Sequence, residues 1–80
     1  MAEATLEQRV RRQMAPLLGI DPDGEGDVMR EDLAQWDSLR HIELIFLIEE
    51  EFGVMLEESQ MAELDSLSAA VRLLEAHGAA

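Results

Sequence analysis

Between Ser38 and Phe52 the chain places apolar residues on two faces of one helical period, and Gly53 closes the run. At about 100° per residue, Leu44, Ile45, Ile48 and Phe52 share one face. Leu39, Ile42 and Phe46 fall on a different face, mixed with Glu43 and Glu50. A helix with one apolar stripe needs one neighbour. A helix with two needs a core and a second surface, for further packing or for a partner. No segment alternates with the period of two that a strand requires, and no internal repeat is visible. The expected fold is therefore all-α.

The flanking segments supply the other helices. Leu6, Val10 and Met14 lie at i, i+4 and i+8, a helical stripe over about residues 6–15. Thr5 and Gln8 have the spacing of a capping box at its start. Pro16 removes a helical hydrogen bond and disfavours helix at Ala15, so the helix is expected to end or kink there. Leu17 and Leu18 continue its apolar face. From Gly19 to Gln35 runs a long connection with Asp21-Pro22, Asp23-Gly24 and Glu25-Gly26 as turn signals. Val28 and Leu33 are expected to pin it to the core, with a short turn near Glu31-Asp32-Leu33. Gly53 suits the residue after the second helix. A short helical turn is expected over about 59–64, and a last helix over about 66–76, with Leu67, Ala70, Val71 and Leu74 at helical spacing. Gly78 stops it, and His77 sits well at its negative end. The result is three main helices plus one short one in a bundle, a single domain over 1–80.

Charge and size restrict the function. The chain has 80 residues and a net charge of −12, which argues against nucleic-acid binding and suits partners with basic patches. No cysteine is present, which excludes disulfides and thiolate-zinc sites. No apolar run approaches a membrane span and no signal segment opens the chain, so a cytoplasmic monomer without membrane insertion is expected.

One serine stands out. Ser38 follows a long loop and Trp36-Asp37, and precedes Ile42-Glu43-Leu44 and Glu49-Glu50-Glu51-Phe52-Gly53. Asp37 or Ser38 could simply cap the helix. The tripeptide alone is weak, because Asp65-Ser66-Leu67 repeats it before the last helix. The context of Ser38 is more specific. The run from Leu33 through Trp36-Asp37-Ser38-Leu39-Arg40-His41-Ile42-Glu43-Leu44, and on to Phe52-Gly53-Val54, resembles the acyl carrier protein family. The resemblance covers nearly the whole chain, with the family's element order and lengths.

That resemblance implies that Ser38 is esterified with 4′-phosphopantetheine by a phosphopantetheinyl transferase. The arm's terminal thiol then carries an acyl group as a thioester between acyl-loading and acyl-processing enzymes with basic patches. It implies a carrier rather than an enzyme. A cysteine-free chain would import its only thiol on the arm, and the phosphate would sit near a helix N-terminus that favours anions. Asp37 and Leu39 would shape the attachment site. Trp36, Arg40, Ile42, Glu43, Phe46, Glu49 and Glu50 would face partners. The competing expectation for Phe46 is packing under the long loop. His41 is expected to serve helix packing.

The chain departs from housekeeping fatty-acid carriers. Those usually have a small residue before the Asp and an acid after Asp-Ser-Leu, where Trp36 and Arg40 stand here. Pro16 and Glu57 also depart. A specialised member is expected, with its cargo open among fatty acids, polyketides, hydroxy acids, a cell-envelope modification and an amino acid.

Two rival readings come from other features. Residues 21–32 resemble an EF-hand calcium loop, with Asp21, Asp23 and Glu25 at the first three ligand positions, Gly26 at the turn and Asp32 at the last position. Asp32 replaces the bidentate Glu, and Met29 offers no oxygen at the ninth position. That reading makes the chain a calcium-responsive module. The other makes it an unmodified helical adaptor that binds a basic partner through the second apolar stripe.

Overall fold

A computed structural model describes residues 4–78 and gives four α-helices. They are α1 (Leu6–Leu18), α2 (Ser38–Phe52), α3 (Glu58–Glu63) and α4 (Leu67–Ala76), with a 3-10 turn at Arg30–Asp32. Among the described residues no strand forms; Met29 and Ser66 make one isolated antiparallel bridge. The architecture is the all-α bundle expected, with its long connection between α1 and α2. No described helix is long and apolar enough to cross a membrane.

α1 opens on the expected capping box: the Gln8 amide donates to Thr5 Oγ1 at 3.1 Å and the Thr5 amide to Gln8 Oε1 at 2.8 Å. It does not stop at Pro16. The helix continues to Leu18 and ends at Gly19, whose φ of 68° is a left-handed cap. A mid-helix proline costs roughly 3 kcal/mol. Here only the last turn is affected, and it carries Leu18 into the core, worth about 1.5–3 kcal/mol for a leucine. The Gln35 side chain also donates to the Leu18 carbonyl at 2.9 Å, satisfying one of the open C=O groups of that end.

The core is one cluster that draws on every segment. Val10, Met14 and Leu18 of α1 meet Leu44, Ile45 and Ile48 of α2 and Leu67, Ala70 and Leu74 of α4. Val28 and Trp36 enter from the long connection, Leu56 and Leu64 from either end of α3. α3 itself buries no residue. It spans residues 58–63 rather than 59–64, and the Gln60 side chain accepts from the Glu57 amide at 2.9 Å to start it.

The connection is held by specific polar contacts. Arg11 is buried on α1 and its guanidinium donates to the Gly26 carbonyl, with Glu7 Oε1 at 3.7 Å. Further along, the Arg30 amide donates to Asp65 O and the Leu67 amide to Val28 O, each at 2.9 Å. These bonds stitch the connection to the start of α4 and fix the approach to α2.

Candidate functional site

Asp37 caps α2. Its Oδ1 accepts from the Arg40 amide at 2.9 Å, and its carbonyl accepts from the His41 amide at 2.9 Å. Ser38 is then the first helical residue rather than the cap. Its side chain is exposed, and among the described residues it makes no side-chain hydrogen bond. The first-turn amides of Ser38 and Leu39 have no intrahelical acceptor. A free hydroxyl and two free N–H groups therefore stand together at the positive end of a 15-residue helix, a setting that favours an anion.

The other copy is different in each respect. Ser66 is 3% exposed, caps α4, and accepts from the Ala69 amide at 3.0 Å. Its Oγ also lies 3.1 Å from Ser68 Oγ. Asp27 completes that end: its carboxylate accepts from the Ser68 amide at 3.0 Å and from Ser68 Oγ at 2.7 Å. Burial pushes the Asp27 carboxyl up, but the Ser68 and Val28 hydrogen bonds and the Arg72 charge outweigh it, holding the group below the usual carboxylate range.

Behind Ser38 lies a polar row. Trp36 is 2% exposed, and its indole N–H donates to His41 Nδ1 at 3.0 Å. Indole can only donate, so Nδ1 carries the lone pair and the imidazole proton is on Nε2. Nε2 in turn donates to Met61 O at 2.8 Å. Arg30 Nε donates to the Trp36 carbonyl at 3.1 Å. Side chain and backbone of Trp36 are both fixed, which sets the angle at which the chain enters α2. Trp36 was expected among the partner-facing residues. It is instead a core residue, because the connection folds back and the bundle takes up the large ring.

The remaining expected surface residues divide. Leu39 is 58%, Ile42 51% and Phe46 63% exposed, so Phe46 does not pack under the long connection. Arg40 and Glu43 are half-buried at the edge of this stripe, and Glu50 is exposed. Glu49 has a structural task, because its Oε2 accepts from the Leu56 amide at 2.9 Å and holds the turn after α2. Met55, which is 82% exposed, was missed. The signal was present: Val54 and Leu56 turn inward on either side of it, a local period of two.

The acids of residues 21–32 do not converge. Asp21 Oδ1 accepts from the Asp23 amide at 2.9 Å in a local turn, and Asp32 lies in the 3-10 turn. Among the described residues no group of three or more His, Asp or Glu side chains is placed to hold a metal, so the candidate set Asp21, Asp23, Glu25 and Asp32 is not assembled. A calcium loop needs several of these oxygens pointing at one centre.

Residues 8–74 match the family described as "Phosphopantetheine attachment site". The chain belongs to the acyl carrier protein family. It is 32% identical over 74 residues to the acyl carrier protein of Zymomonas mobilis, covering 90% of this chain and 94% of that relative. The group that this family attaches is 4′-phosphopantetheine. The free hydroxyl and open amides at the start of α2 fit such a group: one oxygen to esterify, and N–H donors for the phosphate it brings. Among the residues of this carrier, Asp37 holds that end in shape by capping from outside it.

Proposed function

We propose that Ser38 receives the 4′-phosphopantetheine arm and that the chain carries an acyl group between enzymes without catalysing a reaction itself. The observation that carries this is the contrast of the two serines. Ser38 is exposed with an uncommitted hydroxyl, while Ser66 is buried and bonded. When bound, the group supplies a terminal thiol that holds the cargo as a thioester. The chain's own part is to present Ser38 to a phosphopantetheinyl transferase, to offer the Ser38 and Leu39 amides to the phosphate, and to keep α2 rigid under it.

Partners would meet Leu39, Ile42 and Phe46, ringed by Glu43 and Glu50, with Arg40 at the near edge. Exposed apolar side chains among acids suit a small interface with a basic partner, where charge guides encounter and the apolar anchors set lifetime. The transferase and the loading enzymes would be cytoplasmic, and so would the carrier. The test is the intact mass before and after incubation with coenzyme A, magnesium and a broad-specificity transferase, followed by peptide mapping. A phosphopantetheine-sized gain on the Ser38 peptide, absent in Ser38→Ala and kept in Ser66→Ala, is expected. No gain on a folded protein with several transferases would leave the unmodified adaptor, whose binding Ser38→Ala would not touch.

A further inference from the structure

We propose that His41 is a positioning residue of the attachment site: by holding Trp36 it fixes the chain that leads into Ser38, and so the place at which the serine hydroxyl is offered. This role rests on Ser38 being the attachment point. The transferase brings the chemistry of attachment, so the carrier's own contribution is geometry. The Ser38 hydroxyl is exposed and makes no side-chain hydrogen bond among the described residues, so no contact of its own keeps it in place. Its position is set by the residues before it and by the helix after it.

Trp36, two residues ahead of Ser38, has every polar group committed. Its amide donates to Leu33 O at 3.1 Å and its carbonyl accepts from Arg30 Nε at 3.1 Å. Its indole N–H donates to His41 Nδ1 at 3.0 Å. The first two partners belong to the connection itself. Only the third belongs to α2. The His41 amide also donates to the Asp37 carbonyl at 2.9 Å, so His41 holds both residues that precede Ser38. Any residue at that position would make the amide bond. The bond to the indole depends on the imidazole.

The ring is set for this task from its far side. Met61 O accepts from Nε2 at 2.8 Å, which keeps the proton there and leaves Nδ1 as the acceptor that an indole requires. The two rings lie with centroids 6.1 Å apart. A buried indole N–H that loses its acceptor is costly, and the chain relieves the cost by moving the ring. The return of the connection then loosens just ahead of Ser38, and the hydroxyl is offered in several geometries. If one molecule in about five offers it correctly, the apparent KM for the carrier rises about fivefold while the step on the transferase is unchanged.

The experiment measures loading of the full chain from coenzyme A with magnesium and a broad-specificity transferase, at varied carrier concentration and well below the Tm of each variant. His41→Phe keeps a ring and the helical amide bond but loses both ring hydrogen bonds. Its KM should rise about fivefold or more, with kcat held within about twofold. His41→Gln keeps one acceptor and one donor, and should return KM to within about twofold of the wild type. Trp36→Phe with His41→Phe should load no worse than His41→Phe alone, because both changes remove the same bond. A folded His41→Phe with a lowered Tm and an unchanged KM assigns His41 to packing alone and overturns the proposal. So does a folded His41→Gln as impaired as His41→Phe. If His41→Phe does not fold, the wild type decides by NMR: a nitrogen–nitrogen coupling between Trp36 Nε1 and His41 Nδ1 across the hydrogen bond is expected, and its absence overturns the proposal. A folded wild type that never gains the arm at Ser38 overturns the attachment reading, whereas a loaded Ser38 with a KM indifferent to His41 overturns only the positioning role.

Discussion

Asp37-Ser38-Leu39 and Asp65-Ser66-Leu67 are the same tripeptide at the start of two helices, and the fold gives their serines and leucines opposite exposures while both aspartates stay exposed. The difference is a register of one residue. In α2 the aspartate caps, so the serine is the first helical residue and its hydroxyl is left over. In α4 the serine caps, so its hydroxyl is consumed. The neighbourhood then completes the contrast. The first three amides of α4 are bonded to Val28 O, Asp27 Oδ1 and Ser66 Oγ. In α2 only the third, that of Arg40, has a partner, and it is the cap itself. Leu67 is buried where Leu39 is exposed. A helix start that the fold has closed serves stability. One that it has left open can serve chemistry.

The largest effect that could break this comparison concerns modification. Loading should be lost entirely in Ser38→Ala and retained in Ser66→Ala, read by intact mass on proteins with native circular dichroism. The reverse pattern would reassign the site. Stability should show the opposite order. Ser66→Ala removes a buried cap and is expected to cost about 1–2 kcal/mol in denaturant unfolding, while Ser38→Ala should stay within about 0.5 kcal/mol. Equal losses would mean that Ser38 also caps. Asp37→Ala should cost about 1 kcal/mol and slow the transferase as well, because Ser38 becomes the nearest side chain able to replace the missing cap. An unchanged loading rate would separate capping from presentation.

The smallest effect is at acid pH. The Asp27 carboxyl is held low in the folded state, so its contribution is present above its unfolded value of about 3.9 and is lost as pH falls through the folded value. Asp27→Asn should lower Tm at neutral pH and flatten its decline below about pH 4. Parallel curves for the two proteins would assign the acid sensitivity to other carboxylates.

Much of α2 was legible because its limits are local. Asp37 supplies the cap and Gly53, with φ of 65°, the left-handed end, and the two stripes sorted core from surface for Leu44, Ile48, Ile42 and Phe46. The four-helix outline was readable for the same reason. Trp36 was misread because burial of an indole depends on where a 19-residue connection returns, which no nearby residue dictates. The helix runs on past Pro16 because that residue's local penalty is opposed by Leu18, whose burial is a tertiary fact. Arg11 and Asp27 escaped notice because their partners, Gly26 and Ser68, are far away in sequence. The EF-hand spacing of Asp21, Asp23 and Glu25 misled for the converse reason: spacing is local, but convergence of oxygens is not.

α3 buries nothing of its own and hangs between two anchors, Leu56 and Leu64, with the Met61 carbonyl fastened to His41. Its release would expose little apolar surface and break few bonds, so it should open at a free energy well below that of global unfolding. Amide hydrogen exchange would show this as rapid loss of protection at Ala62 and Glu63 while Leu44 to Ile48 keep theirs. The molecule then has two mechanical grades, a stiff frame of α1, α2 and α4 and one hinged segment that can swing without the frame yielding.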